Sequence, residues 1–467
     1  MNLRAVRQGV RTLIAGGPSA KQTAIGGTFW TLTGFGGAQV LRLASNLVAT
    51  RLLFPELFGL MALVVTIQIG LALFSDVGLG FSIVRHKRGE ERRFLDTAWT
   101  IQIIRGFVLW FATIAVTPAA AAFYEDDRLT WLLPLAGFSA VIGGFYSTSI
   151  FLMRRRLQVR RAALLELGSQ VVGIVVMLVW AYLSPTIFSL VAGGMASTIT
   201  TVVASHLLNR PGRDGIDWDR DAVRELIGFG KWIFVSTALT FLATQADRLL
   251  LGKFYALGML GFYNIAFGLA DAPRALVIAV AGKVIFPLLA QSAEIPRHEL
   301  VAKISRPRAR LLTLGAVLLA LLVGFGDVII WALYDERYHE AAWMMPLLAA
   351  SVWPSFLSRT LDSMLLVVGK PKIAALGYAL SFVFLLAGAI VGDRVAGSLG
   401  AIIAIALSPL PYYVVTAVGL RGEKFWLWRQ DFNTTLLFIG TTLAIFAGRS
   451  LVEPYPALLV ELARVTS

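Results

Sequence analysis

Seven positively charged side chains lie inside hydrophobic segments of this chain. They are Arg42, Arg105, Lys231, Arg248, Arg274, Lys283 and Arg359. A positive charge at the centre of a bilayer costs at least about 2.5–3.5 kcal/mol, so it persists mainly where it faces water, a charged partner or a bound anion. The pattern predicts a protein that carries an anionic compound across a membrane.

The composition indicates a polytopic membrane protein. Hydrophobic residues make up 57% of the 467 residues and charged residues only 15%, which exceeds what a soluble domain needs to bury. The net charge of +14 would suggest nucleic acid in a soluble chain. Here, however, Lys and Arg fall in short loops without any nucleic-acid-binding motif, so no such partner is expected. The chain has no cysteine and no metal-ligand spacing of histidines, and we expect no cofactor or metal.

Thirteen apolar segments are long enough to cross a bilayer, for which about 20 helical residues suffice. They lie near 24–50, 57–84, 95–118, 130–152, 163–183, 186–207, 226–251, 259–289, 309–333, 341–368, 374–392, 396–420 and 433–452. The sequence therefore predicts an all-α membrane protein with two six-helix transmembrane bundles around a central cavity, and about one extra C-terminal helix.

The polar stretch at 208–225 divides the chain and defines the predicted domains. These are a basic N-terminal segment at 1–23, one bundle at 24–207, a cytoplasmic linker at 208–225, a second bundle at 226–420, and an additional helix with a tail at 421–467. The first segment reads as an amphipathic helix on an anionic leaflet or as a disordered basic tail. Each bundle contains an Arg-Leu-Leu run, beginning at Arg51 and at Arg248, which suggests a parallel repeat.

Loop charges predict the orientation. The N-terminal tail and alternate loops carry clusters of Lys and Arg, such as the run 154–156, whereas the intervening loops hold single cations and acids such as Glu125 and Asp126. By the positive-inside rule the N-terminus is cytoplasmic. We expect a multi-pass protein of the bacterial inner membrane.

Several enzyme classes are excluded by missing motifs. The chain has no phosphate-binding G-x-x-x-x-G-K-[ST] loop and no H-E-x-x-H zinc motif. The predicted periplasmic loops are too short to carry a membrane-bound transferase or polymerase site. A transporter is expected, not an enzyme.

Polar residues recur at helical spacing inside the predicted spans. Gln39, Arg42 and Asn46 share one helix face, and Asp271 lies one turn from Arg274. Counting from each entry point places the cations at different depths, as a path for an anion requires. We expect Arg42, Arg105 and Arg274 to bind the anion, with support from Lys283, Arg359, Gln39 and Asn46. Possible ion-coupling or gating residues are Asp76, Asp271 and Asp362.

Each intramembrane charge also has a purely structural interpretation. Lys231 lies near a helix end and could extend to the interface, and Asp247 with Arg248 could cap a helix. Arg359 and Asp362, one turn apart, could form a self-neutralising pair. In the same way, Asp271 could neutralise Arg274.

The order of several short runs resembles the Wzx-type polysaccharide flippases of the multidrug/oligosaccharidyl-lipid/polysaccharide exporter superfamily. The matching runs are Leu52-Leu53-Phe54-Pro55-Glu56-Leu57-Phe58-Gly59-Leu60, Asp76-Val77-Gly78-Leu79-Gly80, Ala246-Asp247-Arg248-Leu249-Leu250-Leu251-Gly252, Leu260-Gly261-Phe262-Tyr263-Asn264 and Val284-Ile285-Phe286-Pro287-Leu288-Leu289. The resemblance implies two six-helix bundles and the transfer of undecaprenyl-pyrophosphate-linked oligosaccharides to the periplasmic face. It also implies membrane lipids, glycosyltransferases and a polysaccharide polymerase as partners.

Three functions remain open at this point. The favoured one is a lipid-linked oligosaccharide flippase that works by alternating access, with the polyprenyl tail left in lipid. The second is a cation-coupled multidrug-type exporter of the same superfamily, for which we expect a cavity lined by acids. The third is a membrane scaffold without transport, for which buried unpaired arginines would serve no purpose.

Overall fold

The computed structural model describes residues 18–75, 78–156, 158–207, 214–228, 231–291, 297–368, 370–422 and 427–451. Within these ranges the regular structure is helical, with no β-strand. The α-helices, numbered α1 to α16 in chain order, are Pro18–Leu52, Pro55–Phe74, Leu79–Arg85, Arg92–Tyr124, Leu129–Gly144, Ser149–Arg155, Val159–Leu183, Phe188–Leu207, Arg220–Gly228, Lys231–Phe254, Leu257–Gln291, Arg297–Leu333, Ala341–Val368, Pro371–Leu407, Leu410–Arg421 and Trp428–Ser450. A short 3-10 turn spans Glu336–Tyr338.

The predicted all-α membrane fold is confirmed. Among the described residues, eight helices are long and apolar enough to cross a membrane, or nine if the bent pair α5–α6 forms one span. The predicted number of spans is larger for two reasons. Three predicted segments coincide with helices outside that set, namely α1, α10 and α11. Two further segments fall within one stretch, Lys372–Arg421, which bends at Ala396 and Gly397.

The chain divides into two compact units. The first comprises Met1–Leu53 and Val64–Ala238, and the second comprises Phe54–Leu63 and Leu239–Ser467. The domain boundaries given above, and the two six-helix bundles, stay predictions.

Small residues allow close helix packing in the first unit. A Cβ atom on Gly173 of α7 would lie 2.7 Å from the carbonyl oxygen of Gly193 on α8. Likewise, a Cβ atom on Gly106 of α4 would lie 2.6 Å from the carbonyl oxygen of Ala140 on α5. Since lipid tails are as apolar as leucine, such close van der Waals contact is what associates helices in a membrane.

Within the first unit, two of the predicted membrane spans are interrupted helices. Helix α2 ends at Phe74 and α3 begins at Leu79, after Gly78 in the left-handed conformation with φ 69°. Helices α5 and α6 meet at an angle of 63°. The apolar segments predicted at 57–84 and 130–152 are therefore interrupted, and each break frees backbone carbonyls that need new donors.

The segment after residue 213 docks on the first unit. Its backbone N–H groups at Gly215 and Asp219 donate to Asp96 Oδ1 and Thr97 Oγ1 of α4, at 2.9 and 3.0 Å. The Arg88 guanidinium hydrogen-bonds the Asp219 carboxylate at 2.6 Å and lowers its pKa. A lowered pKa extends the charged form of Asp219 to more acidic pH, so the segment keeps a charged anchor there.

Two ion pairs attach the C-terminal helix α16 within the second unit. Arg308 of α12 is fully buried and lies 2.6 Å from Asp431 at the start of α16. Near the other end, Arg449 pairs with Asp327 of α12 at 2.7 Å. Because each charge is neutralised by its partner, these groups can remain in an apolar environment.

The beginning of α2 packs within the second unit through two glycines. A Cβ atom on Gly59 would overlap the carbonyl oxygen of Leu257, and one on Gly261 would overlap that of Pro55. Residues 55 and 59 are one turn apart, as are 257 and 261. The contact is therefore reciprocal, and each glycine admits the backbone of the opposite helix.

Candidate functional site

A pocket with charged and hydroxyl-bearing side chains lies within the second unit, and three of its five lining helices, α13, α14 and α15, belong to candidate membrane spans. Its empty space amounts to about 820 Å³, part of it open to the surroundings. Residues from α10, α11, α13, α14 and α15 line it. On α11 the lining residues are Tyr263, Phe267, Asp271 and Arg274. These recur every three or four residues, so they share one helix face.

Arg274 and Asp271 form an ion pair on the pocket wall. Arg274 Nε lies 2.5 Å from Asp271 Oδ1, and Arg274 Nη2 donates to Asp271 Oδ2 at 3.0 Å. Both side chains are about a quarter exposed, at 25% and 24%. The two-point contact holds the guanidinium plane against its own helix.

Arg359 and Asp362 form a second ion pair, on α13. Arg359 Nη1 lies 3.2 Å from Asp362 Oδ2 and 3.2 Å from the Tyr378 hydroxyl. The Tyr412 hydroxyl donates to Asp362 Oδ1 at 2.7 Å. The Tyr378 and Tyr412 rings have centroids 4.4 Å apart. Three helices thus meet in one hydrogen-bonded network.

Asp247 and Arg248 form a third charged group beside the pocket. Arg248 Nη1 lies 3.3 Å from Asp247 Oδ2, and Arg248 Nε donates to Asn264 Oδ1 at 3.0 Å. The Tyr263 hydroxyl donates to Asp247. The guanidinium also lies over the Phe267 ring, 4.7 Å from its centroid, where a cation–π contact stabilises it. These contacts are more extensive than capping a helix end requires.

Among the described side chains of the pocket and their ion-pair partners, positive and negative charges are equal in number. Two acids, Asp247 and Asp271, and two bases, Arg274 and Arg359, line it. Their further partners, Arg248 and Asp362, add one charge of each sign. Each pair places guanidinium donors beside carboxylate acceptors. The cationic path through Arg42, Arg105 and Arg274 stays a prediction.

Arg42 lies in the first unit and differs from these arginines. Its side chain is exposed, and no ion-pair or side-chain hydrogen-bond partner is found for it among the described residues. Gln39 and Asn46, which share its helix face, are half-buried. Helix α1 packs on α7, where Gln170 Nε2 donates to the Ala38 carbonyl at 3.0 Å. Among the described residues the guanidinium of Arg42 therefore has no partner, and it projects from a helix that packs on α7.

Arg105 caps the broken span of the first unit. Its Nε donates to the Ser75 carbonyl at 3.0 Å and its Nη2 donates to the Ala72 carbonyl at 2.9 Å. One turn earlier, Gln102 Nε2 donates to the carbonyls of Gly144 and Tyr146, at 3.0 and 2.9 Å. Two adjacent side chains of α4 thus satisfy the carbonyls that the breaks after α2 and α5 leave free.

The contacts of Arg105 lead to a testable expectation. Replacing Arg105 with Gln shortens the side chain and removes the charge at two helix carbonyls, so we expect a stability loss of about 1–3 kcal/mol. Fluorescence-detected melting in detergent measures it. Arg42→Gln is the matched control, since Arg42 bonds no carbonyl. Equal melting temperatures for the two variants would contradict the capping role.

Two predicted site residues, Asp76 and Lys283, have no described side chain, and neither has Lys231, which was assigned to a helix end. Asp76 as a whole lies outside the described residues. Among the described residues, no cluster of His, Asp or Glu could hold a metal ion.

Sequence reasoning missed the hydroxyl groups of the pocket. Besides the tyrosines named above, five serines line the pocket: Ser351, Ser355, Ser358, Ser381 and Ser408. The serines at 351, 355 and 358 follow helical spacing on α13, which was a usable signal. Nothing in the sequence brings Tyr412 to Asp362, fifty residues away.

A comparison with known protein families identifies the family of the chain. A family profile described as polysaccharide biosynthesis protein matches residues 48–343, more than half of the chain. The chain belongs to this family. The resemblance to the polysaccharide flippases of the exporter superfamily is thereby confirmed.

Individual relatives of this polysaccharide biosynthesis protein are distant. The chain is 22% identical over 313 residues to the teichuronic acid biosynthesis protein TuaB of Bacillus subtilis (strain 168). The aligned region covers 64% of this chain and 62% of TuaB. The chain thus spans less than two thirds of the length of that curated relative.

Solved structures share the fold over nearly the full length. The lipid II flippase MurJ, in an inward closed conformation, matches with a TM-score of 0.71 and 10% identity, covering 94% of this chain and 95% of MurJ. An inward-facing multidrug resistance MATE family transporter matches with a TM-score of 0.62 and 12% identity, covering 87% and 95%. At such identities the likeness shows the fold alone.

Proposed function

We propose that this protein is a flippase for a lipid-linked oligosaccharide. It moves an undecaprenyl-pyrophosphate-linked glycan from the cytoplasmic to the periplasmic face of the bacterial inner membrane by alternating access. The glycan then serves polysaccharide biosynthesis, in company with the glycosyltransferases and polymerase of the same pathway.

The observation that carries the proposal is the pocket with charged and hydroxyl-bearing side chains, which is lined in part by candidate membrane spans. A membrane scaffold has no need for such a pocket, because ionisable groups inside a membrane are costly and mark substrate or ion pathways. A glycan is too polar to cross the hydrocarbon core unaided, and the pocket supplies hydrogen-bonding groups that replace water. Membership of the polysaccharide biosynthesis family supports the choice of cargo.

Arg42 is the group best suited to the diphosphate of the carrier lipid. Among the predicted binding residues with described side chains, Arg105, Arg274 and Arg359 already have partners, whereas Arg42 is exposed and free. An unpaired guanidinium can bind a phosphate through two parallel hydrogen bonds without first losing a carboxylate.

Proteoliposomes test the transport step. A lipid-linked glycan is incorporated into both leaflets, and a membrane-impermeant glycosidase is added outside. In protein-free vesicles we expect digestion of the outer-leaflet glycan alone. With the wild-type protein present, a second, slower phase should follow, in which glycan that has been flipped from the inner leaflet is digested.

Arg42→Gln should slow this second phase about tenfold or more, since a charge-assisted bond is lost. The control Arg310→Gln changes an exposed arginine. Full protection of inner-leaflet glycan with wild-type protein would refute the function.

The predicted orientation has its own test, because the chain contains no cysteine and single cysteines label cleanly. Ile216 and Val395 are equally accessible, at 82% and 79% exposure, and lie on predicted cytoplasmic and periplasmic sides. We expect a membrane-impermeant maleimide to label Val395→Cys in intact spheroplasts, and Ile216→Cys only after lysis. The reverse pattern would invert the topology.

One observation favours the multidrug-type exporter as a second candidate. The pocket holds as many acids as bases, and a cationic drug could pair with Asp247 or Asp271. This alternative predicts efflux of ethidium from cells that express the protein, and loss of efflux in Asp271→Asn. Unchanged ethidium retention would eliminate it.

A further inference from the structure

We propose that the pocket of the second unit is a sugar-binding subsite, which takes uncharged pyranose rings of the cargo and not its diphosphate. This inference rests on the proposed flippase function and assigns one part of the substrate to one set of side chains.

Charge balance is the first argument. Each pocket arginine already contacts a carboxylate: Arg274 contacts Asp271 at 2.5 Å, and Arg359 contacts Asp362 at 3.2 Å. A diphosphate entering the pocket would have to displace these carboxylates and leave them uncompensated in a membrane-spanning region, at a cost of several kcal/mol per ion. An uncharged ligand keeps every pair intact.

The distribution of hydrogen-bonding groups is the second argument. The hydroxyls of Ser351, Ser358 and Ser408 donate to carbonyls of their own helices, at 2.6, 3.0 and 2.8 Å. Each serine oxygen therefore has lone pairs left to accept a bond from a ligand hydroxyl. The ion pairs add guanidinium donors beside carboxylate acceptors. Adjacent hydroxyls on a sugar ring, each both donor and acceptor, match such alternating groups.

The aromatic residues of the pocket are the third argument. Tyr378 and Tyr412 line it as a pair with ring centroids 4.4 Å apart, and Phe267 lines the α11 side. An aromatic ring offers a flat apolar surface, and a tyrosine adds a polar edge. A pyranose has the complementary form, with C–H groups on its faces and hydroxyls around its rim.

The network around Asp362 fixes this arrangement. The Tyr412 hydroxyl and Arg359 hold the two carboxylate oxygens separately, at 2.7 and 3.2 Å. The Tyr412 backbone N–H donates to Ser381 Oγ at 3.1 Å. Since α13, α14 and α15 each contribute, the groups that face the ligand are preorganised.

Saturation-transfer NMR on the purified full-length protein tests the subsite. The probes are three neutral disaccharides, N,N′-diacetylchitobiose, cellobiose and melibiose, and sodium pyrophosphate is the competitor. We expect transfer from the protein to at least one disaccharide, with no displacement by pyrophosphate at equal concentration. The double variant Arg359→Gln with Asp362→Asn keeps the pocket neutral but removes the ion pair. We expect it, and Tyr412→Phe, to weaken the transfer at least fivefold.

Tyr413→Phe is the matched control for Tyr412→Phe. Tyr413 is the next residue, but its hydroxyl donates to Asp431 at 2.9 Å, away from the pocket. Transfer should persist in this variant. The proposal is overturned if no disaccharide receives transfer from the wild-type protein, if the signal survives in the double variant, or if pyrophosphate displaces the sugar.

The outcome is separable from that of the flippase proposal. Flipping in proteoliposomes without disaccharide binding would reject the subsite alone. Disaccharide binding without flipping would reject the transport function and leave a sugar-binding membrane protein.

Discussion

Arg308→Leu should be the most destabilising single substitution considered in this protein, with a loss of about 3–5 kcal/mol. Arg308 is fully buried. Its Nε donates to Thr360 Oγ1 and its Nη1 to Gln430 Oε1, each at 2.8 Å, beside the 2.6 Å contact with Asp431. Removing the guanidinium leaves a buried, uncompensated carboxylate. Thermal unfolding of the detergent-solubilised protein measures the loss.

Two further variants make this expectation specific. Arg310→Leu, two residues away and exposed, is the control and should melt close to wild type. The double variant Arg308→Leu with Asp431→Leu removes both charges and should recover much of the stability, because an apolar replacement of a whole ion pair is often neutral. If the double variant is no more stable than Arg308→Leu, the uncompensated charge is not the cause.

Gly261→Ala should also be strongly destabilising, by about 1–3 kcal/mol or more. The new methyl group would overlap the Pro55 carbonyl oxygen, and this is a backbone atom that cannot move by changing a rotamer. Gly59→Ala should act in the same way through Leu257. Either change should separate the beginning of α2 from α11, and the melting temperature should fall accordingly.

The reciprocal geometry gives this second expectation a distinctive signature. Once one alanine has separated the two helices, the other finds space, so the double variant should lose less than the sum of the single losses. Gly268→Ala lies on the same helix with no atom within 4 Å of the added Cβ, and is the control. Since alanine has the higher helix propensity, Gly268→Ala should not destabilise the protein, and a loss equal to that from Gly261→Ala would contradict the contact with Pro55 as the cause.

Local pairs were readable from the sequence because helical spacing alone brings their members together. Asp271 with Arg274 and Arg359 with Asp362 are each one turn apart, and both are ion pairs in the structure. The sequence left open whether these arginines are free or paired. The gap between 392 and 396 likewise anticipated the bend at Ala396 and Gly397.

Contacts between residues far apart in the sequence could not be predicted from the sequence. Arg105 looked like a stranded cation, yet it bonds carbonyls of Ala72 and Ser75. Arg105 can bond these carbonyls only because the helix ends at Phe74. A continuous run of apolar residues does not indicate where a helix will break. Arg308 lies in a charge-rich stretch that reads as a loop, although it is fully buried.

The sequence by itself determined the membrane-embedded, all-α nature of the chain and its family, because the length of apolar segments and the order of short runs are properties of consecutive residues. Which of its intramembrane charges are free was decided only by the tertiary structure. A charge is neutralised by whatever group packing brings within about 4 Å. Packing joins α10, α11, α13, α14 and α15 around one pocket, where the described arginines each lie beside a carboxylate. The same packing leaves Arg42 exposed on α1.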